Sequence, residues 1–329
     1  MKKIRWGIMA PGKIAAKFAS DIKLIKDAEL IAVASRDPER SRKFAKRFGI
    51  KNFYSNYSDL ALDPEIDVVY IASPHSFHFE QTMLCLENNK HVLCEKPMGL
   101  NAAEVIQMAE TAKAKNLFLM EALWTRFLPS YLKCRELTDK KKIGEIRSIH
   151  SDFGFKVEAS TESRLLNKNL AGGCLLDIGI YPVFMALSLA GEPEEMIASS
   201  IIGPTGVDMA TSVIFQYPSK QISALLSASF LAGTSLETII TGTKGRIIMH
   251  RPWHATTLIE LVKGERSTHF KFDEPGFGYQ YEIAEVNKCI LKGKVESDLF
   301  PQSHSILLHR TLERIRKGVG LLYPGEVNL

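Results

Sequence analysis

The fold is decided by residues 4–15, which read IRWGIMAPGKIA. A short apolar run that breaks at a Pro-Gly pair predicts a first strand, of the kind buried between two layers of helices. Small residues follow at Ala10, Gly12 and Ala15, the positions of the dinucleotide pattern G-x-G-x-x-G/A, and a helical pattern starts at Lys13. The turn also needs a glycine for purely structural reasons. The residues expected at a pyrophosphate are Ala10, Gly12, Lys13 and Ile14.

The surroundings of this turn favour the nucleotide interpretation. Over about the first 120 residues, short apolar runs alternate with longer amphipathic ones, the pattern of βαβ units on a parallel sheet. We expect strands at 4–9, 30–35, 68–72, 91–94 and 117–120, and helices at 13–22, 39–48, 79–88 and 102–115. Residues 1–122 are therefore predicted to form a Rossmann-type domain with a doubly wound parallel sheet.

The texture of the sequence changes after Trp124. Residues 196–272 are rich in β-branched side chains at a period of two, and turn signals such as Gly203-Pro204 interrupt them. Helical patterns occupy 129–138, a run ending near Ala190, 279–291 and 303–319. The chain has 329 residues, more than single cores usually reach. We expect residues 123–329 to form a second, α+β domain with a large, mostly antiparallel open sheet, which binds substrate and mediates oligomerisation.

Composition excludes several classes of protein. The 42 basic and 37 acidic residues leave a net charge of +5, and the longest basic run is Lys140-Lys141-Lys142, so a nucleic-acid partner is not expected. No uncharged apolar stretch approaches the ~18–20 residues of a membrane span, and the N-terminal apolar run is too short for a signal peptide. The five cysteines are scattered without metal-ligand spacing. We expect a cytoplasmic protein that needs no membrane and no metal ion.

The end of the second predicted strand bears on the choice of cofactor. Enzymes that bind NAD commonly place an acidic residue there, on the ribose 2′-hydroxyl. This chain has Ser35 and Arg36, a hydroxyl and a guanidinium that suit a 2′-phosphate. Asp37 follows directly, so NAD(H) stays possible. The sequence favours NADP(H).

A lysine stands at the end of the fourth predicted strand, in Glu95-Lys96-Pro97. The carboxyl ends of strands in a doubly wound sheet face the ligand crevice, which places Lys96 near a bound nicotinamide. With residues 72–78 (ASPHSFH), this motif resembles the Gfo/Idh/MocA family of oxidoreductases over essentially the whole chain. Residues 120–129 (MEALWTRFLP), 172–182 (GGCLLDIGIYP) and 320–326 (GLLYPGE) resemble its dihydrodiol and sugar dehydrogenase branch.

The resemblance implies a catalytic set of Lys96, Asp177 and Tyr181. Tyr181 would exchange the substrate hydroxyl proton, Lys96 would lower the pKa of Tyr181 from about 10, and Asp177 would orient the substrate or the lysine. Asp177 and Tyr181 are four residues apart and so share one helix face. The structural alternatives are that Tyr181 only packs and that Asp177 caps the helix or pairs with a neighbouring lysine.

The resemblance also marks further residues around the cofactor and the substrate. The cofactor side would include Ser73, Pro74, His75, His78, Glu95, Trp124 and Arg126. For His78 the alternative is a helix cap, and for Trp124 a core position between domains. Phe153 and Phe155 could wall an apolar part of the substrate pocket, although alternating aromatics are more often sheet core. His150, His250, His254 and His269 form no recognisable ligand set, and no role is expected for them.

The family implies NADP(H)-dependent hydride transfer to or from a secondary alcohol or carbonyl of a sugar, polyol or trans-dihydrodiol. An NADP(H)-binding sensor or scaffold without catalysis would keep the same fold. A methyltransferase would also use a glycine-rich turn, but it has no need of Lys96 or Arg36. Large one-sided sheets rarely stay bare, and family members commonly pair through this sheet, so we expect at least a homodimer.

Overall fold

The computed structural model describes residues 3–326 as two compact units. The first contains the chain up to Phe127 together with Glu274–Ile306, and the second contains Leu128–Asp273 together with the chain from Leu307 on. The expected division at residue 123 differs from these units. The chain divides after Phe127 instead, and residues 274–306 belong with the first unit.

Strands and helices are numbered here in chain order. The strands are β1 Ile4–Met9, β2 Ala28–Ala34, β3 Asn52–Tyr54, β4 Val68–Ile71, β5 His91–Glu95, β6 Leu119–Ala122, β7 Ile146–Gly154, β8 Glu195–Ile202, β9 Asp208–Tyr217, β10 Ile222–Ser229, β11 Thr238–Gly242, β12 Gly245–Met249, β13 Leu258–Lys263 and β14 Arg266–Lys271. The α-helices are α1 Lys13–Asp21, α2 Pro38–Phe48, α3 Tyr57–Leu62, α4 His78–Glu87, α5 Ala102–Ala114, α6 Pro129–Asp139, α7 Ile180–Ala190, α8 Tyr279–Leu291 and α9 Gln302–Gly318.

The first unit is built on a six-stranded parallel sheet in the order β3-β2-β1-β4-β5-β6. The strand order reverses between β1 and β4, and ligands of doubly wound sheets bind at the carboxyl ends of the strands beside such a reversal. All four residues of β4 are buried, as expected for a strand with helices on both faces. This sheet confirms the predicted Rossmann-type fold.

Helix α8 comes from late in the sequence and completes the first unit. The indole Nε1 of Trp6 in β1 donates to Oδ1 of Asn287 at 3.0 Å, and both side chains are buried. The backbone N–H of Leu119 in β6 likewise donates to the Val295 carbonyl at 3.1 Å. These contacts join residues more than 170 positions apart, which is why a division drawn by position along the chain misplaced α8.

The second unit contains an eight-stranded sheet in the order β14-β13-β12-β11-β7-β10-β9-β8. Strands β7 and β10 pair in parallel and all other neighbours pair antiparallel, which confirms a mostly antiparallel sheet. One face is core, where a row across five strands is fully buried: Phe215, Ala224, Ile149, Ile240 and Ile247. The row beside it faces outward and is apolar except for His150 of β7: Ile197, Ile214, Leu225, His150, Ile239 and Ile248.

Helix α7 is the most apolar helical stretch in the described chain. A π-helical turn, Leu175–Gly179, runs directly into it. An 18-residue window of the helical stretch Lys168–Ala190 has a mean hydropathy of 1.8, so the stretch could cross a membrane by length and composition alone, but 94% of that window is buried inside the protein. It is packed as a core helix of its unit.

Most predicted elements are present with small shifts at their ends. Strand β1 and helix α8 have the predicted bounds, and the other predicted elements differ by one to three residues at an end. Strand β3 was not predicted, because it has only three residues and none of them is buried. The parallel pairing of β7 with β10 was not predicted either, since strand patterns alone do not specify partners.

Candidate active site

The turn after β1 has the form expected of a pyrophosphate site. Ala10 adopts a left-handed conformation at φ +63°, where the dinucleotide pattern ordinarily has glycine, and its N–H donates to the Ala34 carbonyl at 3.0 Å. Gly12 precedes α1 in extended conformation, and no side chain of the described residues caps the helix. A Cβ on Gly12 would meet only the Ala10 carbonyl oxygen, at 3.9 Å. The residues therefore fit a dinucleotide, because no described side chain caps the start of α1 and the Cβ position of Gly12 is open.

The residues predicted at a 2′-phosphate follow β2, and a further arginine, Arg40, contacts the turn after β1. Ser35 is buried and its Oγ accepts the N–H of Asp37 at 3.2 Å. The exposed Arg36 guanidinium lies 5.1 Å from the centre of the Phe77 ring. Arg40, which sequence reasoning missed, donates from Nε to the carbonyl of Pro11 at 2.9 Å and so ties α2 to the pyrophosphate turn. Two arginines thus follow β2, one beside Phe77 and one bonded to the turn after β1.

The carboxylate of Asp37, the residue that left NAD(H) possible, accepts hydrogen bonds from the backbone. Asp37 is the N-cap of α2, and its Oδ1 accepts the N–H groups of Glu39 at 3.0 Å and Arg40 at 3.3 Å. Asp, Ser and Asn are preferred at this position because their side chains satisfy helix N–H groups. The capping role accounts for Asp37 without a ribose.

The loops after β4 and β5 are joined by His78. This residue is fully buried, and its ring nitrogens lie 2.9 Å from the carbonyl oxygen of Ser73 and 2.7 Å from that of Pro97. Burial lowers the pKa of His78. His78 begins α4, and its side chain links the Ser73-Pro74-His75 segment to the loop that carries Lys96.

Two buried carboxyl groups support the Lys96 loop. The Tyr70 hydroxyl donates to Oε1 of Glu95, whose Oε2 accepts the N–H of Lys96 at 3.3 Å. Glu121, which sequence reasoning missed, is 1% exposed and accepts the N–H of Met98 at 2.9 Å. Lys96 itself is partly exposed, at the end of β5. The loop thus holds the lysine at the carboxyl edge of the sheet, as the sequence predicted.

Trp124 and Arg126 lie in a short helical turn after β6, and both are partly exposed. The Trp124 ring stacks on Tyr279 of α8, with 5.2 Å between the ring centres and 14° between their planes. The N–H of Arg126 donates to the carbonyl of Leu123 at 2.9 Å. Tyr279 is a contact of the candidate cofactor side that the sequence could not reveal, since it is more than 150 residues away.

Asp177 and Tyr181 lie on consecutive turns of the helix that leads into α7, and both are nearly buried. Oδ1 of Asp177 accepts Nη1 of Arg164 at 3.1 Å. The sequence suggested a neighbouring lysine as a structural alternative, and the structure shows a contact with this arginine, from the preceding loop. Nothing in the sequence marks Arg164, because it stands alone 13 residues before Asp177.

An aromatic cluster surrounds Tyr181 within the second unit. The ring centres of Phe153 and His254 lie 5.5 Å and 5.4 Å from that of Tyr181, and the two rings stack on each other at 4.1 Å. Phe155 contacts Phe153 at 6.4 Å and is exposed. Phe153 thus stands beside Tyr181 and Phe155 beside Phe153, and their role as walls of a substrate pocket stays a prediction. His254, for which no role was expected, lies beside Tyr181 too.

The described residues, 3–326, contain no group of three or more His, Cys, Asp and Glu side chains that could hold a metal ion. All five cysteines are buried free thiols.

Comparison with known proteins places the chain in a family. The model of the Oxidoreductase family, NAD-binding Rossmann fold, of the Gfo/Idh/MocA group, matches residues 4–123, and the model of the GFO/IDH/MocA C-terminal domain matches residues 131–248. The chain belongs to the Gfo/Idh/MocA family. It is therefore an NAD(P)-dependent oxidoreductase, and the predicted resemblance is confirmed.

Similar proteins span the whole chain. It is 38% identical to trans-1,2-dihydrobenzene-1,2-diol dehydrogenase of Xenopus tropicalis, over 97% of this chain and 99% of that protein. The human protein of the same name is also 38% identical, over 98% and 99%. A 3-ketoreductase from Actinomadura kijaniata, crystallised with NADP and TDP-benzene, superposes with a TM-score of 0.87 at 23% identity, over 97% of this chain and 98% of that one. The aldose-aldose oxidoreductase of Caulobacter crescentus gives 0.88 at 22%, with the same coverage, and both structures support the fold alone.

Proposed function

We propose that this enzyme transfers a hydride between NADP(H) and a secondary alcohol or carbonyl of a sugar, polyol or trans-dihydrodiol. The observation that carries the proposal is the placement of Tyr181, which is nearly buried among aromatic rings, one helical turn after Asp177 and its partner Arg164. A hydroxyl held in such a setting suits proton exchange with a substrate alcohol. The aromatic rings suit the apolar face of a cyclic diol or sugar.

The cofactor, when bound, supplies the hydride chemistry at C4 of its nicotinamide. In the oxidising direction, the carbinol C–H bond breaks and its electron pair leaves with the hydride, while Tyr181, acting as the phenolate, takes the hydroxyl proton and becomes the neutral phenol. In the reducing direction, Tyr181 returns that proton to the carbonyl oxygen as hydride arrives at carbon. Lys96 supplies the positive charge that stabilises the phenolate form of Tyr181. Asp177, held by Arg164, orients the substrate hydroxyls.

The catalytic assignment is tested by Tyr181→Phe and Lys96→Met. We expect each to lower kcat by about 100-fold or more, the range that a positioned acid–base group contributes. The dissociation constant of NADPH should change by less than about twofold, because neither change removes a cofactor phosphate contact. Tyr281→Phe, a partly exposed tyrosine of α8, is the matched control and should keep its turnover. Turnover retained in both catalytic variants would refute the assignment.

The preference for NADP(H) is proposed to come from Arg36 and Arg40. Replacing either arginine by alanine should raise KM for NADP⁺ by about 10-fold or more, since a charge-assisted hydrogen bond contributes about 1.5–3 kcal/mol. KM for NAD⁺ should stay nearly constant. Arg42→Ala is the control, because Arg42 lies on the same helix but pairs with Glu39 at 2.7 Å. Equal effects on both cofactors would contradict the assignment.

The substrate class is proposed from the relatives and from the aromatic cluster. The full-length relatives are named for a trans-dihydrodiol, and the structural neighbours are a ketoreductase and an aldose oxidoreductase. A screen of trans-dihydrodiols, aldoses and inositols with NADP⁺ and NAD⁺, followed by absorbance of the reduced cofactor, tests this directly. Absence of hydride transfer with every polyol and diol would favour the alternative of a non-catalytic NADP(H)-binding protein.

A homodimer through the outer face of the eight-stranded sheet is also proposed. Ile197 is 65% exposed, Ile201 59% and Leu225 44%, on a face whose opposite side is core. Contiguous exposed apolar surface on a sheet commonly marks an association site. Light scattering should give a dimer, and the double variant Ile197→Asp/Ile201→Asp should give a monomer, whereas Arg266→Asp on β14 should stay dimeric. A monomeric wild-type protein would contradict this. A cytoplasmic location also stays a proposal.

A further inference from the structure

The helix that carries Asp177 and Tyr181 begins against a carboxyl group from another element. Asp208, the first residue of β9, is fully buried, and its Oδ2 accepts three hydrogen bonds. The donors are the backbone N–H of Leu175 at 2.7 Å, the Thr211 hydroxyl at 2.8 Å and the Cys174 thiol at 3.0 Å. Two of these donors belong to the start of the helix, so Asp208 anchors that start to the sheet.

One glycine makes room for this carboxyl group, and its neighbour makes room for the preceding loop. A Cβ on Gly173 would stand 2.0 Å from Oδ1 of Asp208, and Gly173 has φ +120°, a conformation that L side chains rarely adopt. A Cβ on Gly172 would meet the carbonyl oxygen of Leu165 at 2.7 Å. The Gly172 carbonyl itself accepts the Tyr323 hydroxyl at 2.6 Å. The Gly-Gly pair therefore lets the backbone pass between β9, the preceding loop and the C-terminal segment.

The anchored turn is continuous with the proposed catalytic residues. The N–H of Asp177 lies 3.4 Å from the Gly173 carbonyl, and Leu175 opens the π-helical turn that ends at Gly179. A π-helical turn contains one residue more than an α-helical turn, and such insertions are frequent at functional sites. Losing the extra residue would rotate the following side chains by about 100°. The direction of Tyr181 thus depends on how the helix start is held.

We propose that Asp208 is a positioning residue for the hydride-transfer reaction, which by accepting the Leu175 N–H fixes the π-helical start and hence the orientation of Asp177 and Tyr181. Its kinetic readout rests on the proposed function. The role requires a hydrogen-bond acceptor rather than a negative charge, since all three donors to Oδ2 are uncharged groups. Burial raises the pKa of Asp208, in keeping with that requirement.

The proposal is tested with Asp208→Ala, Asp208→Asn and Thr211→Val. The alanine variant loses the acceptor, and we expect kcat to fall by about 10-fold or more, the scale of a misplaced catalytic group, with NADPH binding unchanged. The pH at which kcat is half-maximal should also shift, because the surroundings of Tyr181 change. Asparagine keeps an acceptor oxygen and should restore kcat to within about threefold of wild type.

Thr211→Val is the matched control. It removes a donor on the strand side and leaves the Leu175 bond in place, so thermal stability should fall while kcat changes by less than about twofold. If Asp208→Ala fails to fold, Asp208→Ser replaces it, since its shorter side chain withdraws the acceptor yet stays polar. Wild-type turnover in the alanine or serine variant, or equal loss in Thr211→Val, would overturn the proposal.

A second readout does not depend on activity. Amide hydrogen exchange at residues 175–181 should accelerate by about 10-fold or more in Asp208→Ala and stay near wild type in Thr211→Val. If the wild-type protein transfers no hydride to any diol or polyol, the proposed function fails, but this exchange result still decides the role of Asp208. Unchanged exchange in Asp208→Ala would refute the anchoring itself.

Discussion

Two helix starts, one in each unit, satisfy their N–H groups in different ways. Helix α1 begins after Gly12 with no acidic residue in its first turn and no side-chain cap from the described residues. The helix leading into α7 also begins after glycines, but the Asp208 carboxyl group accepts the Leu175 N–H. One start is open to an external anion, and the chain's own carboxyl fills the other. A glycine-rich turn before a helix therefore identifies an anion site only where no internal carboxyl occupies it.

The largest effect, on cofactor affinity, is expected when a carboxylate is placed at the start of α1, as Asp208 is placed at the start of the helix leading into α7. Gly12 has extended backbone and open space around a Cβ, so Gly12→Asp should cap α1 without distorting it. Its carboxylate would occupy the pyrophosphate position, and we expect the dissociation constant of NADPH, measured by calorimetry, to rise by about 100-fold or more. Gly12→Ser, which caps without charge, should weaken binding by less than about 10-fold. Wild-type affinity in the aspartate variant would place the pyrophosphate elsewhere.

The second prediction concerns the start of the helix leading into α7, where Asp208 accepts the Leu175 N–H. Gly173→Ala forces a Cβ against Oδ1 of Asp208 in a left-handed conformation, and we expect the free energy of unfolding to fall by about 2–4 kcal/mol. Urea denaturation measures this. Combining Gly173→Ala with Asp208→Ala removes the clashing oxygen. The double variant should therefore lose less free energy of unfolding than the two single variants lose in sum. Strict additivity would show that strain at Gly173, rather than the Asp208 contact, dominates.

A buried carboxyl group without donors sharpens the contrast with Asp208. Glu282 of α8 is fully buried, neither of its oxygens has a hydrogen-bond partner among the described residues, and burial beside Glu95 and Asp21 raises its pKa. The folded state then keeps a proton that the unfolded state releases above pH ~4.3, so stability falls as pH rises, by up to about 1.4 kcal/mol per unit. Glu282→Gln lacks this dependence. Its midpoint of thermal unfolding should therefore rise relative to that of wild type as the pH increases from 5 to 8.

Glu285 offers the control for that experiment. It accepts Ser297 at 2.7 Å and pairs with Lys288 at 2.8 Å, and these contacts lower its pKa. The stability from a lowered carboxyl pKa is fully present above the unfolded value near ~4.3 and is lost only as pH falls. The penalty of Glu285→Gln should therefore be constant between pH 5 and 8. If the stability difference between Glu282→Gln and wild type is also constant over this range, Glu282 is ionised in the folded protein.

The smallest effect concerns a third helix start, that of α2. Asp37 caps it with two N–H contacts, so Asp37→Ala should lower the free energy of unfolding by about 1 kcal/mol, and Asp37→Asn should recover most of it. The ratio of kcat/KM for NADP⁺ and NAD⁺ should stay within about threefold of wild type if the carboxylate only caps. A larger shift in that ratio would return Asp37 to the cofactor site.

Much of the fold was predictable because its signals are local. The turn at Ala10–Gly12, the apolar strands and the helix over 279–291 all depend on residues adjacent in sequence. Contacts between distant segments were not predictable. Examples are the hydrogen bonds of Asn287 with Trp6 and of Asp208 with Leu175, and the stacking of Tyr279 on Trp124. The periodicity of the sequence does not indicate such pairs.

The same distinction applies to the candidate site. Lys96, Asp177 and Tyr181 carry motifs, so the sequence could nominate them. Arg164 and His254 are single polar residues in irregular segments, and only folding brings them beside Asp177 and Tyr181. Residues that support a site by contact alone leave no pattern in one sequence.

The late arrival of α8 has a consequence for synthesis on the ribosome. When the first 127 residues have emerged, β1 through β6 exist, but Trp6 still lacks Asn287 and Leu119 lacks the Val295 carbonyl. At about 5–20 residues per second, the remaining segment up to residue 306 takes on the order of ten seconds or more. Throughout that interval the nascent nucleotide-binding unit keeps one apolar surface uncovered, the kind of surface that chaperones bind.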